Sequence, residues 1–132
     1  FLLALTSNKG SSDFQELILD DNSDKLYEKV IRVSKKWKNN DKIMYVVGAK
    51  NTEEIKKIRQ LVPNSYLLIP GLGAQGGNLK EICKYGLDRD FKIIVNSSRS
   101  IIYASSNDDF AEKAALEAKK IQYEMKSYIN NL

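Results

Sequence analysis

Four short apolar runs, at residues 1–5, 43–47, 66–69 and 91–95, punctuate the chain. Each has the length and the aliphatic, β-branched content of a strand buried on both faces. A polar or glycine-containing turn follows each run, and helical spacing follows the turn. Leu26, Val30, Val33 and Trp37 recur at i, i+4, i+7 and i+11, and Ile55, Ile58 and Val62 repeat the stripe on a shorter helix. Asn51 with Glu54 offers a capping-box-like start to that second helix, and Pro63 marks its stop. A third helix runs from about Leu79 to Tyr85, with Gly86 as its C-cap. The last begins after Ser105-Ser106-Asn107 and puts Phe110, Ala114, Ala118, Ile121, Met125 and Tyr128 on one face. Strict β-α alternation predicts an α/β fold with a parallel sheet, either an open doubly wound sheet or part of a closed barrel.

With 42% hydrophobic and 29% charged residues in 132, the chain can bury a core and is not of disordered composition. The net charge of +4 arises from 21 basic and 17 acidic residues, and lysines such as Lys35, Lys36 and Lys38 lie along amphipathic stretches. They read as a solvated face, so no nucleic-acid partner is expected. The absence of histidine excludes Ser-His-Asp and Cys-His nucleophile systems and His-ligated zinc from this segment. Cys83, the single cysteine, sits in an apolar pattern with Leu79 and Ile82 and reads as a small buried residue in a reducing compartment. No apolar run approaches the ~20 residues of a membrane helix, and a cytoplasmic location with no membrane partner is expected. The chain opens without Met inside an apparent strand, which reads as one piece of a longer protein.

The most informative stretch is Ile69-Pro70-Gly71-Leu72-Gly73-Ala74-Gln75-Gly76-Gly77-Asn78, glycine-rich between a strand and a helix. Backbone N–H groups there are free to point at an anion, and a phosphate suits them. Gly71-x-Gly73-x-x-Gly76 also matches the dinucleotide fingerprint. That motif requires an acidic residue at the end of the next strand, where this chain has Asn96-Ser97-Ser98-Arg99. Arg99 follows small polar residues and carries a guanidinium, a bidentate phosphate ligand that stays charged. In phosphate-binding barrels the anion lies between the loops after the last two strands, the positions these two loops occupy if the four strands are the last of eight. Thr6-Ser7-Asn8-Lys9-Gly10 ends the first strand with groups able to hydrogen-bond a polar ring edge. Gly48 ends the second, where it permits close packing or approach of a ligand.

Taken in order, Thr6-Ser7-Asn8-x-Gly10, Val47-Gly48-Ala49, Pro70-Gly71-x-Gly73-Ala74-Gln75-Gly76-Gly77 and Asn96-x-Ser98-Arg99-Ser100-Ile101 resemble orotidine 5'-phosphate decarboxylase of the longer-chain bacterial type. The resemblance covers essentially residues 1–132. It implies the C-terminal four βα units, strands 5 to 8, of a TIM (β/α)8 barrel, acting without metal or cofactor on the small-molecule substrate orotidine 5'-phosphate in UMP synthesis. Ser7 would hydrogen-bond the pyrimidine, and Gln75 would belong to the loop that closes over the phosphate. Arg99 would be the main charged phosphate ligand, with backbone N–H groups around Gly76 and Ser98 completing the cradle. Lys9 stands where the bacterial type often has Pro. The family's Asp-x-Lys-x-x-Asp motif, which carries the proton transfer, has no counterpart in this sequence. The resemblance therefore implies catalytic residues in a first half, a segment inactive and marginally stable by itself, and a homodimer when the protein is whole. Competing expectations are a barrel enzyme acting on another sugar phosphate and a Rossmann-like nucleotide-binding module.

Overall fold

A computed structural model describes residues 1–19, 23–48, 52–72 and 78–130. Its four strands are β1 (Leu2–Leu5), β2 (Tyr45–Val47), β3 (Leu67–Pro70) and β4 (Ile93–Asn96). All neighbours pair in parallel, in the order β1-β2-β3-β4. The helices are α1 (Ser11–Phe14), α2 (Leu26–Ser34), α3 (Thr52–Leu61), α4 (Leu79–Gly86), α5 (Arg99–Ile102) and α6 (Phe110–Ile129). Helix α2 packs on α3, α3 on α4 and α4 on α6. A doubly wound sheet reverses its strand order at a switch point and lays helices on both faces. Sequential strands under one row of neighbouring helices form instead an arc of a (β/α)8 barrel.

The core lies between strands and helices. Tyr45, Val47, Leu67, Ile69 and Ile93 from the sheet meet Tyr27, Ile31, Ile55, Ile58 and Ile82 from the helices, all buried. The other face carries the row Leu3, Val46, Leu68, Ile94, joined in register across all four strands. Leu3 is 57% and Ile94 41% exposed. The strands are thus buried on one face here rather than on both, and the second face bears an aliphatic row of the kind that fills a barrel interior.

Several elements depart from the periodicity. In α2 the buried stripe is Tyr27, Ile31 and Ser34, while Val33 and Trp37 are exposed. Ser34 can be buried because its hydroxyl lies 2.8 Å from both the Ile31 carbonyl and the Tyr45 hydroxyl. The last strand begins at Ile93, not residue 91, because Phe91 adopts a left-handed φ of 56°. Gly86 is the last residue of α4 rather than its left-handed cap. It packs closely: a Cβ there would stand 3.4 Å from side-chain carbons of both Ile55 and Ile93, at ordinary contact distance. In α6 only Ile121, Met125 and Tyr128 of the expected face pack against the core, and Phe110 is exposed. Cys83 is buried as expected, and burial pushes its thiol up to about 11.

The ends of the strands opposite the candidate loops are tied by Arg59. This buried side chain donates from Nε to the Gly86 carbonyl at 2.8 Å, from Nη2 to Lys92 at 2.9 Å and from Nη1 to Ser65 at 2.7 Å. Nη1 also reaches the carbonyls of Val62 and Pro63. One guanidinium thereby satisfies the segments that end α3 and α4 and those that lead into β3 and β4. Burial pushes its pKa down and Asp88 pushes it back up, but a guanidinium stays charged. Arg59→Met in the whole protein, which removes all these donations at once, should cost roughly 3 kcal/mol or more in a urea denaturation series. Arg59→Lys should recover only part, since one ammonium lacks the fork.

Candidate functional site

Because the strands are parallel, their C-terminal ends share one edge of the sheet, and the residues singled out by sequence gather there. Thr6-Ser7-Asn8 follows β1, Gly48 follows β2, Gly71-Leu72 follows β3, and Ser97-Ser98-Arg99 follows β4. Register pairs Pro70 with Asn96, so the loops after β3 and β4 leave the sheet at the same level. Gly71 has φ 96°, a conformation that favours glycine. Gln75 and Gly76 lie outside the described residues, as does Asn51. The next helix starts at Leu79, where Asn78 Oδ1 accepts the N–H groups of Lys80 and Glu81 at 3.0 and 3.4 Å.

On the β4 side, Ser98 precedes the short helix α5 and Arg99 opens it. Both are exposed, and the Arg99 guanidinium has no hydrogen-bond or ion-pair partner among the described residues. Ser97 and Ser100 join hydroxyls at 2.7 Å. The two loops share a cavity of about 250 Å³, floored by Leu72, Ser97 and Ser100 and walled by Glu117, Lys120 and Glu124 of α6. The described part of the arrangement brings Gly71 and Leu72 after β3 and the exposed Arg99 after β4 to neighbouring strand ends, and a guanidinium can fork onto an anion.

On the β1 side, the Gly48 N–H donates to the Leu5 carbonyl at 2.8 Å and ends the pairing. A Cβ on Gly48 would lie 2.5 Å from the Ser7 nitrogen and 2.8 Å from the Thr6 carbonyl carbon. Gly48 is therefore required for close approach of the Ser7 backbone, the packing alternative that its sequence position left open. A cavity of about 180 Å³ lined by Leu5, Thr6, Lys9, Ser11, Glu16 and Gly48 opens beside it.

Beneath this corner lies a charged cluster that sequence reasoning missed. The Glu54 carboxylate is 4% exposed, accepts from Lys25 Nζ at 2.7 Å and takes a short hydrogen bond from the Tyr27 hydroxyl. Lys25 also reaches Glu16 at 3.1 Å. Glu54 had read as a helix-capping partner, and only the long-range fold brings Tyr27 and Lys25 to it. Burial would raise its pKa, but the hydrogen bonds from Lys25 and Tyr27 outweigh burial and the net shift is down. Lys25 is shifted up, chiefly by its hydrogen bond to Glu54. Among the described residues no group of three or more acidic or cysteine side chains could hold a metal ion, and no helix is long and apolar enough to cross a membrane.

Two outcomes follow for the whole protein. Gly48→Ala should destabilise it by about 1–3 kcal/mol through overpacking, whereas Gly10→Ala, whose Cβ would meet nothing nearer than 3.4 Å, should not. Glu54, depressed in the folded state, contributes stability that is complete above ~4.3 and is lost as pH falls through its lower folded pKa. Urea midpoints across about pH 3 to 7 should fall toward acid more steeply in the parent than in Glu54→Gln.

Almost the whole of this chain is similar to part of known proteins. Orotidine 5'-phosphate decarboxylase of Flavobacterium johnsoniae is 53% identical over 130 residues, which are 98% of this chain and 47% of that protein. The enzyme of the same name from Phocaeicola vulgatus is 55% identical over 124 residues, 94% of this chain and 45% of that protein. The chain thus spans about half the length of the curated relatives it matches. No family profile matches it. Among solved structures, the UMP synthase of Leishmania donovani superposes with a TM-score of 0.76 at 34% identity, covering 95% of this chain and 27% of that one. The OMP decarboxylase of Leishmania donovani superposes with a TM-score of 0.74 at 31% identity, covering 95% of this chain and 47% of that one.

Proposed function

We propose, from its likeness in sequence and fold to orotidine 5'-phosphate decarboxylases, of which it spans about half, that this chain is strands 5 to 8 of a barrel enzyme that converts orotidine 5'-phosphate to UMP. Its contribution is substrate grip. Arg99 pairs with the phosphate, backbone N–H groups near Ser98 and Gly76 complete the cradle, Gln75 closes over it, and Ser7 hydrogen-bonds the pyrimidine. The observation that supports this reading is the common edge of the parallel sheet, at which β4 runs into the exposed Arg99, its neighbour β3 into Gly71, and β1 at the far side of the sheet into Ser7.

The chemistry divides between the halves. Loss of carbon dioxide leaves negative charge on the ring carbon, and a family lysine held among aspartates in the first half protonates it. The residues of this chain act at a distance. Phosphate contacts remote from the reacting carbon hold the substrate and lower the barrier only if they are stronger in the closed transition state than in the open complex. The whole protein is read as a homodimeric cytoplasmic enzyme needing no cofactor; a buried, unpaired Cys83 fits a reducing compartment.

Ultraviolet absorbance should show decarboxylation of orotidine 5'-phosphate by the whole protein, and Arg99→Ala should lower kcat/KM by at least about a hundredfold, or about 2.7 kcal/mol. No turnover by a folded, whole parent would overturn the reading. The isolated chain should show none, having no Asp-x-Lys-x-x-Asp sequence.

A further inference from the structure

We propose that Gln15 is a positioning residue that fixes the backbone at Ser7 and so governs affinity for the pyrimidine base separately from affinity for the phosphate. The inference rests on the reading of Ser7 as a base contact. It starts from an accounting problem at the end of β1. The ladder to β2 closes with the Gly48 N–H on the Leu5 carbonyl, and the next donor, the Thr6 N–H, has passed beyond the strand pairing. Gln15 supplies the missing partner. Its Oε1 accepts the Thr6 N–H at 2.7 Å, and its Nε2 donates to Thr6 Oγ1 at 2.9 Å. The Thr6 hydroxyl spends its one proton on Asn8 Oδ1 at 2.6 Å. One amide thereby sets both the main chain before Ser7 and the side chain after it.

Gln15 is itself held. Its N–H donates to the Ser11 carbonyl at 2.8 Å, and its carbonyl accepts the Tyr27 N–H at 3.0 Å. The Leu26 N–H donates to the Leu17 carbonyl at 2.9 Å. Tyr27 is fastened through its hydroxyl to Glu54 of α3, and Lys25 bridges Glu54 to Glu16, the neighbour of Gln15. On the far side of Ser7 stands Gly48, which leaves no space for retreat. Ser7 is therefore clamped between β2 and an amide anchored in the outer helices. Among the described residues, the hydrogen bonds of Gln15, Thr6, Tyr27 and Lys25 stay on the β1 side and none goes to the segments after β3 and β4, so a defect at Gln15 is expected at the base end of a nucleotide and not at its phosphate end.

The test uses the whole protein and two probes, UMP and ribose 5-phosphate, with dissociation constants from calorimetry. Gln15→Met removes both hydrogen bonds at nearly constant volume. It should weaken UMP at least tenfold and leave ribose 5-phosphate within twofold of the parent, whereas Arg99→Ala should weaken both. Gln15→Glu, which keeps an acceptor for the Thr6 N–H, should restore most of the UMP affinity. Should Gln15→Met fail to fold, Thr6→Val deletes only the hydroxyl relay and carries the same expectation of selective UMP loss. Equal loss of both probes, or undiminished UMP binding in the folded variants, would overturn the role of Gln15. A folded parent that binds no UMP overturns the proposed function itself, a result seen before any variant is made.

Discussion

A single buried guanidinium holds the lower end of this fold together. Arg59 answers carbonyls from the ends of two helices and the approaches to two strands, where helix and sheet ladders run out. Its charge is costly to bury, and forked hydrogen bonding to main-chain oxygens makes the burial tolerable. With β3 and β4 pinned at their starts, their far ends emerge side by side. The segments that follow β3 and β4, the second opening with Ser97, Ser98 and Arg99, are adjacent for that reason.

The opposite end is built for approach rather than for stability. Gly48 and Gly71 occupy positions where a side chain would collide or strain the backbone. Arg99 stands exposed beside small hydroxyl residues. A cluster of Lys25, Tyr27 and Glu54 sits one layer out, where it secures the helices that carry the β1 loop. Charge is paired in the outer layer, and Arg99 stands at the sheet edge formed by the C-terminal strand ends, the face at which barrel enzymes place their sites.

Much of this was legible in the sequence because strands and loops announce themselves locally. Aliphatic runs followed by glycine or serine predicted all four strands, and their parallel order follows from the intervening helices. Arg99 and Ser7 were identified by motif, and both stand on the expected edge. What failed depends on contacts distant in the chain. The buried Ser34 lay outside the expected stripe, its burial depending on a hydrogen bond with the distant Tyr45, and Phe91 looked like strand until its left-handed backbone excluded it. Trp37 looked like core, but the helix ends at Ser34 and leaves it outside. Gln15 and Glu54 gave no usable signal, since a lone amide or carboxylate in a polar stretch acquires its role only when Thr6 or Tyr27 is brought to it.

The row Leu3, Val46, Leu68, Ile94 marks the inner face of a barrel arc, and the edge above it carries the proposed substrate site, shared by loops far apart in sequence. The most direct measurement of that claim is a crystal structure of the whole protein with UMP bound. The account predicts an eight-stranded barrel in which one nucleotide has its phosphate on the Arg99 guanidinium and its pyrimidine on Ser7. A nucleotide bound away from either residue, or a sheet in which these four strands are not consecutive members of one barrel, would contradict it.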